Sequence, residues 1–133
     1  MTCIVGIAHK GKCYIGGDSA GVDSSRLTLT GRADQKVFRV GEFVMGFTTS
    51  FRMGQLLAYS FNAPASRNGV TPMAYMATDF INAIRDCLKA GGFAKNENGT
   101  EKGGTFLVGY KGTIFTIYDD YQIEQSLNDF HAV

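Results

Sequence analysis

Met1-Thr2-Cys3-Ile4-Val5-Gly6-Ile7-Ala8 opens the chain, and Lys10-Gly11-Lys12 leads into Cys13-Tyr14-Ile15-Gly16-Gly17. Both runs favour β structure, and the short Gly-containing turn between them reads as the loop of a hairpin. The hairpin returns the chain to its start, so Asp18, just past the second strand, should stand near Thr2. Cells commonly clip an initiator Met that precedes a small residue. Thr2 would then carry a hydroxyl and a free α-amine, which titrates at about 7.7–8.0. A Thr hydroxyl beside its own N-terminal amine is an activated nucleophile, with the amine as base.

Further along, Lys36-Val37-Phe38-Arg39-Val40, the Gly41-Glu42 turn and Phe43-Val44-Met45-Gly46-Phe47 read as a second hairpin. The intervening residues 19–35 are polar, with a weakly alternating piece at Arg26–Thr30 closed by Gly31. Helical spacing begins near Ser50, a good N-cap, with Met53, Leu56, Leu57 and Phe61 in phase. Thr71-Pro72 is a second helix start, and Gly91-Gly92 a stop. Between them Met73, Met76, Ala77, Phe80, Ile81, Ile84 and Leu88 trace one apolar stripe that reads as core.

After a polar loop at Asn96–Gly104, residues 105–110 and 113–117 flank the Lys111-Gly112 turn as a third hairpin. Asp119-Asp120 is a turn, and Ile123–Leu127 and Phe130–Val133 are short extended pieces. Strands, two helices and then strands predict an α+β layered fold, with the helix pair on one face of mostly antiparallel sheet.

Bulk properties narrow the function. The formal net charge is +1, from 13 Lys and Arg against 12 Asp and Glu, and no basic run supplies a field for nucleic acid. No apolar stretch approaches the ~18–20 residues of a membrane span, and no signal-peptide core is seen. Cys3, Cys13 and Cys87 are odd in number and lack metal-ligand spacing, which suits a reduced, cytoplasmic setting. Strand alternation puts Cys3 opposite to Thr2, in the core. His9 and His131 read as structural, so no Ser–His or Cys–His site is expected.

Thr2, Asp18 and Lys36 therefore form the candidate site. A carboxylate beside Lys36 keeps the lysine charged, and a charged lysine near the Thr2 hydroxyl favours its alkoxide. Gly46, with no side chain to block approach, could offer a backbone N–H to an oxyanion.

This pattern resembles the proteasome β-subunit family of N-terminal-nucleophile (Ntn) hydrolases, which includes the bacterial two-component protease subunit HslV. Thr2-Cys3-Ile4-Val5-Gly6-Ile7 is similar to the family's Thr-Thr-x-Val-Gly-Ile opening. Gly17-Asp18-Ser19 is similar to its second strand end, Lys36–Val40 to its lysine strand, Val44-Met45-Gly46 to the strand before its first helix, and Phe106–Tyr110 to a later hairpin. The resemblance implies an αββα sandwich of antiparallel sheets. It also implies Thr2 as nucleophile, Asp18 and Lys36 as its activating pair and Gly46 as oxyanion donor, with Gly21, Val44 and Thr48 on the substrate side.

The implied protein is a threonine peptidase or amidohydrolase, active once Met1 is removed, on peptide or protein substrates. No metal or organic cofactor is needed. It would assemble as a homo-oligomeric ring, with an ATP-dependent unfoldase as a further partner. The family's chain continues past a strand like Phe130–Val133 into more helices and strands. Residues 1–133 are thus expected to be a single domain lacking its C-terminal third. The alternative is a non-catalytic relative that keeps the fold as an assembly or scaffold subunit.

Overall fold

The computed structural model describes residues 2–93 and 95–133. Strand β1 (Ile4–His9) pairs antiparallel with β2 (Lys12–Gly17), and Ile4 lies opposite Gly17, as the opening hairpin predicts. The segment at 19–35 holds a further hairpin, β3 (Ala20–Asp23) with β4 (Thr28–Gly31). Its alternation was weak because both strands lie largely outside the core and bury no face. β5 (Val37–Val40) and β6 (Phe43–Phe47) follow. Lys36 stands just before β5 rather than as its first residue.

Helix α1 (Phe51–Tyr59) starts where Ser50 accepts the N–H groups of Arg52 and Met53 at 3.1 and 3.4 Å. Phe61 lies past its end but is buried. The second helical stretch is not uniform. After α2 (Pro72–Tyr75), Met76–Phe80 form a π turn before α3 (Ile81–Ala90). The Ile81 N–H reaches the Met76 carbonyl five residues back. That wider turn lets Tyr75 and Phe80, five apart, both face the core, and it turns Ala77 outward to solvent. A strict 3.6-residue stripe places Ala77 inside and misses Tyr75.

The expected loop at 96–104 contains a small hairpin, β7 (Lys95–Glu97) with β8 (Thr100–Lys102). β9 (Phe106–Tyr110), β10 (Thr113–Ile117), β11 (Ile123–Gln125) and β12 (Phe130–Ala132) complete the strands.

These strands make two main antiparallel sheets, ordered β12-β1-β2 and β11-β10-β9-β6-β5. β9 is buried along its whole length because both of its faces are covered. Phe106, Val108 and Tyr110 meet the helices with Met53, Phe80 and Ile84. Leu107 and Ile114 meet Ile4 and Ala8 of the smaller sheet. Each fully buried side chain of this kind contributes about 1.5–3 kcal/mol.

The result is a helix–sheet–sheet stack with antiparallel sheets. Among the described residues no helix covers the outer face of the smaller sheet. The outer face of the smaller sheet is correspondingly bare: Val5, Ile7, Tyr14 and Phe130 are 43%, 50%, 55% and 64% exposed. Cys3 shares their parity and is exposed. This corrects its assignment to the core: strand alternation holds, but that face has no layer over it. No helix is long and apolar enough to cross a membrane among the described residues.

Candidate functional site

The two sheets bring three elements to one end of the stack. Thr2 precedes β1, Asp18 follows β2, and Lys36 precedes β5. Cys3 donates its N–H to Asp18 Oδ2 at 2.7 Å, and Ala20 donates to Oδ1 at 2.9 Å. One carboxylate thus ties the start of β1 to the start of β3. Lys36 Nζ donates to the same Oδ1 at 2.7 Å and to Thr2 Oγ1 at 3.0 Å. The Lys36 carbonyl accepts the Phe47 N–H at 3.1 Å, which anchors its backbone to β6.

Lys36 is only 3% exposed. Burying an ammonium is costly unless it is paired and hydrogen-bonded, and Asp18 supplies both. The Lys36 hydrogen bond, reinforced by the N–H groups of Cys3 and Ala20, holds the Asp18 carboxyl well below the usual carboxylate range. The Asp18 carboxyl is therefore ionised throughout the neutral range, and Lys36 Nζ donates to both the carboxylate and the threonine oxygen.

Thr2 opens into a cleft of about 270 Å³. Lys36, Val22, Thr48, Thr49 and Phe51 share its walls. Thr48 thus lines the same cleft as Thr2, with its hydroxyl donating to the Thr105 carbonyl at 2.7 Å. Gly21 does not line this cleft; it lines an adjoining recess under the β3–β4 hairpin, which shares Val22 and Phe51 with the cleft, and packs on Arg32. Val44 lines a different cleft, with Cys13, Tyr14 and Arg39.

Gly46 is not in the cleft either. It sits in the middle of β6, paired on both sides with Val37 and Leu107. A Cβ there would come within 2.6 Å of Ile4 Cγ2 and 2.8 Å of Ile15 Cγ2. The missing side chain lets the two sheets approach, so the glycine serves packing at this point.

Three features escaped the sequence reading. Thr49 has φ +65, a left-handed conformation uncommon for a β-branched residue. Its N–H has no hydrogen-bond partner among the described residues. No local pattern announces a left-handed threonine. Phe51 carries the Arg32 guanidinium 3.7 Å from its ring centroid and the Lys36 ammonium at 5.5 Å. It also walls a larger groove of about 580 Å³ between β5 and α1, which it shares with Phe38, Phe47 and Gln55. Arg32 is held in turn by Asp34, at 2.8 and 2.6 Å. The Ser50 helix cap was the available signal for Phe51, since it fixes the first helical residue.

The geometry defines a hydroxyl–ammonium–carboxylate relay on a layered, antiparallel α+β fold. No family model matches this sequence, and no curated protein matches it. Solved structures match its fold. Thiobacillus denitrificans BPH superposes with a TM-score of 0.75 at 17% identity, over 98% of this chain and 70% of that one. The same protein in complex with epoxomicin gives 0.74. Anbu from Yersinia bercovieri, described as an ancestral beta-subunit, gives 0.61 at 14% identity, over 100% of this chain and 60% of that one. The helical assembly of the Anbu complex from Pseudomonas aeruginosa gives 0.56 at 15%. The fold is thus similar to proteasome-like folds, and the chain spans 60–70% of the length of these neighbours.

Proposed function

We propose that this chain is a proteasome-like N-terminal threonine hydrolase of amide bonds, with Thr2 as nucleophile after loss of Met1. The observation that carries the reading is Lys36 Nζ at 3.0 Å from Thr2 Oγ1 and 2.7 Å from Asp18 Oδ1. A scaffold needs no buried lysine aimed at a threonine hydroxyl. The epoxomicin complex of the Thiobacillus neighbour, with the same fold, supports the same chemistry.

In this mechanism the Thr2 α-amine accepts the hydroxyl proton as Oγ1 attacks the substrate carbonyl carbon. Lys36 stabilises the oxygen as the proton leaves. The carbonyl oxygen becomes an oxyanion and is met by the Thr49 N–H, in place of Gly46. Collapse breaks the C–N bond, and the leaving amine takes the proton from the α-ammonium. The resulting Thr2 ester is cleared by water, with the α-amine again as base. Asp18 pairs with Lys36 and holds it in position. None of these steps calls on a metal or organic cofactor.

The side chain preceding the cleaved bond enters beside Phe51, and substrates are peptides or unfolded protein. The chain acts as a single domain in the cytoplasm, where its three free thiols stay reduced. It assembles with copies of itself and receives substrate from an ATP-dependent unfoldase; the assembled state of the Pseudomonas neighbour supports the first of these.

The second reading, a non-catalytic assembly subunit, is favoured by the bare face of the smaller sheet, which suits a surface buried between chains. It predicts no chemistry at Thr2. Met1 lies outside the described residues, so the N-terminus must be determined directly. Incubation with epoxomicin and intact-mass measurement, with Thr2→Ala as control, separates the two readings.

A further inference from the structure

Three hairpin turns meet at the other end of β1 and β2 from Thr2. Lys10 and Gly11 turn β1 into β2 with φ of 48 and 75. Lys111 and Gly112 turn β9 into β10 with φ of 47 and 74. The two Lys-Gly turns touch: a Cβ on Gly112 would lie 3.2 Å from Gly11 Cα. Gly41-Glu42 supplies the third turn.

Beside them opens a cleft of about 610 Å³. Lys12, Arg39 and Lys111 line it against a single carboxylate, Glu42, and Lys10 stands in the adjoining turn. Asp129 lies across β1, its carbonyl accepting the Ala8 N–H at 2.7 Å. None of the four cations makes an ion pair among the described residues, although most exposed arginines elsewhere do. A chain of net charge +1 therefore gathers four of its 13 cations at one end with few acids to offset them.

The shape of the cleft speaks to its ligand. Its cations come from β2, β5 and the β9–β10 turn, so they are spread along a groove rather than aimed at one point. Glu42 opposes a compact polyanion. Tyr14 and Val44 provide apolar wall between the charges. β2 is the edge strand of its sheet, and β5 is the edge of the other. An edge strand presents unpaired N–H and C=O groups to any extended chain laid beside it.

We propose that this cleft docks an acidic, extended peptide segment of a partner protein, which adds to the edge of β2 while its carboxylates meet Lys12, Arg39 and Lys111. Because the cleft shares no lining residue with the one at Thr2, docking leaves the Thr2 cleft open, and the proposal does not depend on hydrolysis.

The test is fluorescence anisotropy of a labelled eight-residue peptide alternating Glu with Val, titrated with the full chain. The expected result is binding that weakens as salt is raised and falls by at least about tenfold in Lys12→Glu/Arg39→Glu/Lys111→Glu. Lys89→Glu, an exposed reversal on α3, should bind as the parent does. A peptide with Pro at its centre should bind far less, because it cannot complete the strand ladder. Equal binding by the triple variant, by a Lys/Val peptide or by the Pro peptide would overturn the proposal. So would binding of tripolyphosphate with none of the acidic peptide.

Discussion

Lys36 donates a hydrogen bond to the Thr2 hydroxyl at 3.0 Å, across 34 residues of sequence. Two hairpins and two sheets are required to bring these atoms together, and a single carboxylate, Asp18, accepts from Lys36 and from the Cys3 N–H next to Thr2.

Lys36→Met keeps most of the aliphatic stem and removes the ammonium. Under the proposed mechanism kcat falls by about 10²–10³-fold with KM little changed, since the lost interaction acts on the reacting oxygen. Stability falls less steeply, because the Asp18 side chain left behind is 33% exposed and retains water. Steady-state kinetics with a peptide amide, alongside thermal unfolding, separates the two effects. An unchanged kcat would remove Lys36 from the chemistry.

Two pH dependences should be distinct. The Asp18 carboxyl is depressed in the folded chain, so its contribution to stability is full above its unfolded value of about 3.9. It is lost as pH falls below that point toward the lower native value. Asp18→Asn should flatten the acid limb of a stability curve. Activity, by contrast, should decline already below about pH 7–8, where the α-amine protonates. A rate profile that declined only near pH 4 would contradict the amine as base.

Gly46→Ala tests the assignment of this glycine to packing. The added methyl meets Ile4 and Ile15 across the sheet interface, and overpacking of this kind costs about 1–3 kcal/mol. Tm should drop by roughly 3–10 °C. The protein that remains folded should keep kcat near the parent value. A large kcat loss with unchanged Tm would restore Gly46 to the chemistry.

Phe51→Ala removes the ring that walls both the Thr2 cleft and the larger groove between β5 and α1. The two spaces should then join. Preference among peptide substrates should shift toward bulkier side chains before the cleaved bond, by about tenfold in relative kcat/KM. A panel of peptide amides differing at that one position reads the change, and an unaltered ranking would contradict the role given to the ring.

Much of this architecture is legible in the sequence because the deciding signals are local. Short Gly turns set the hairpins, Ser50 and Thr71-Pro72 set the helix starts, and hairpin geometry alone places Asp18 beside Thr2. What escaped depends on tertiary context. Cys3 follows strand alternation correctly, yet among the described residues no layer covers its face, so alternation could not decide burial. Ala77 and Tyr75 exchange sides because one π turn shifts the helical phase. Gly46 looks like an open backbone approach, but Ile4 and Ile15, distant in sequence, fill the space above it. Thr49 is invisible to pattern reading, since its left-handed backbone arises only where β6 turns into α1.

The central claim is that Thr2 becomes an N-terminal nucleophile activated by Lys36. The most direct measurement is the intact mass of the purified chain before and after epoxomicin, with Thr2→Ala and Lys36→Met in parallel. The account predicts a chain lacking Met1 that gains one adduct, absent in Thr2→Ala and much slower to form in Lys36→Met. A chain that keeps Met1 and gains no adduct would contradict it and leave the assembly reading.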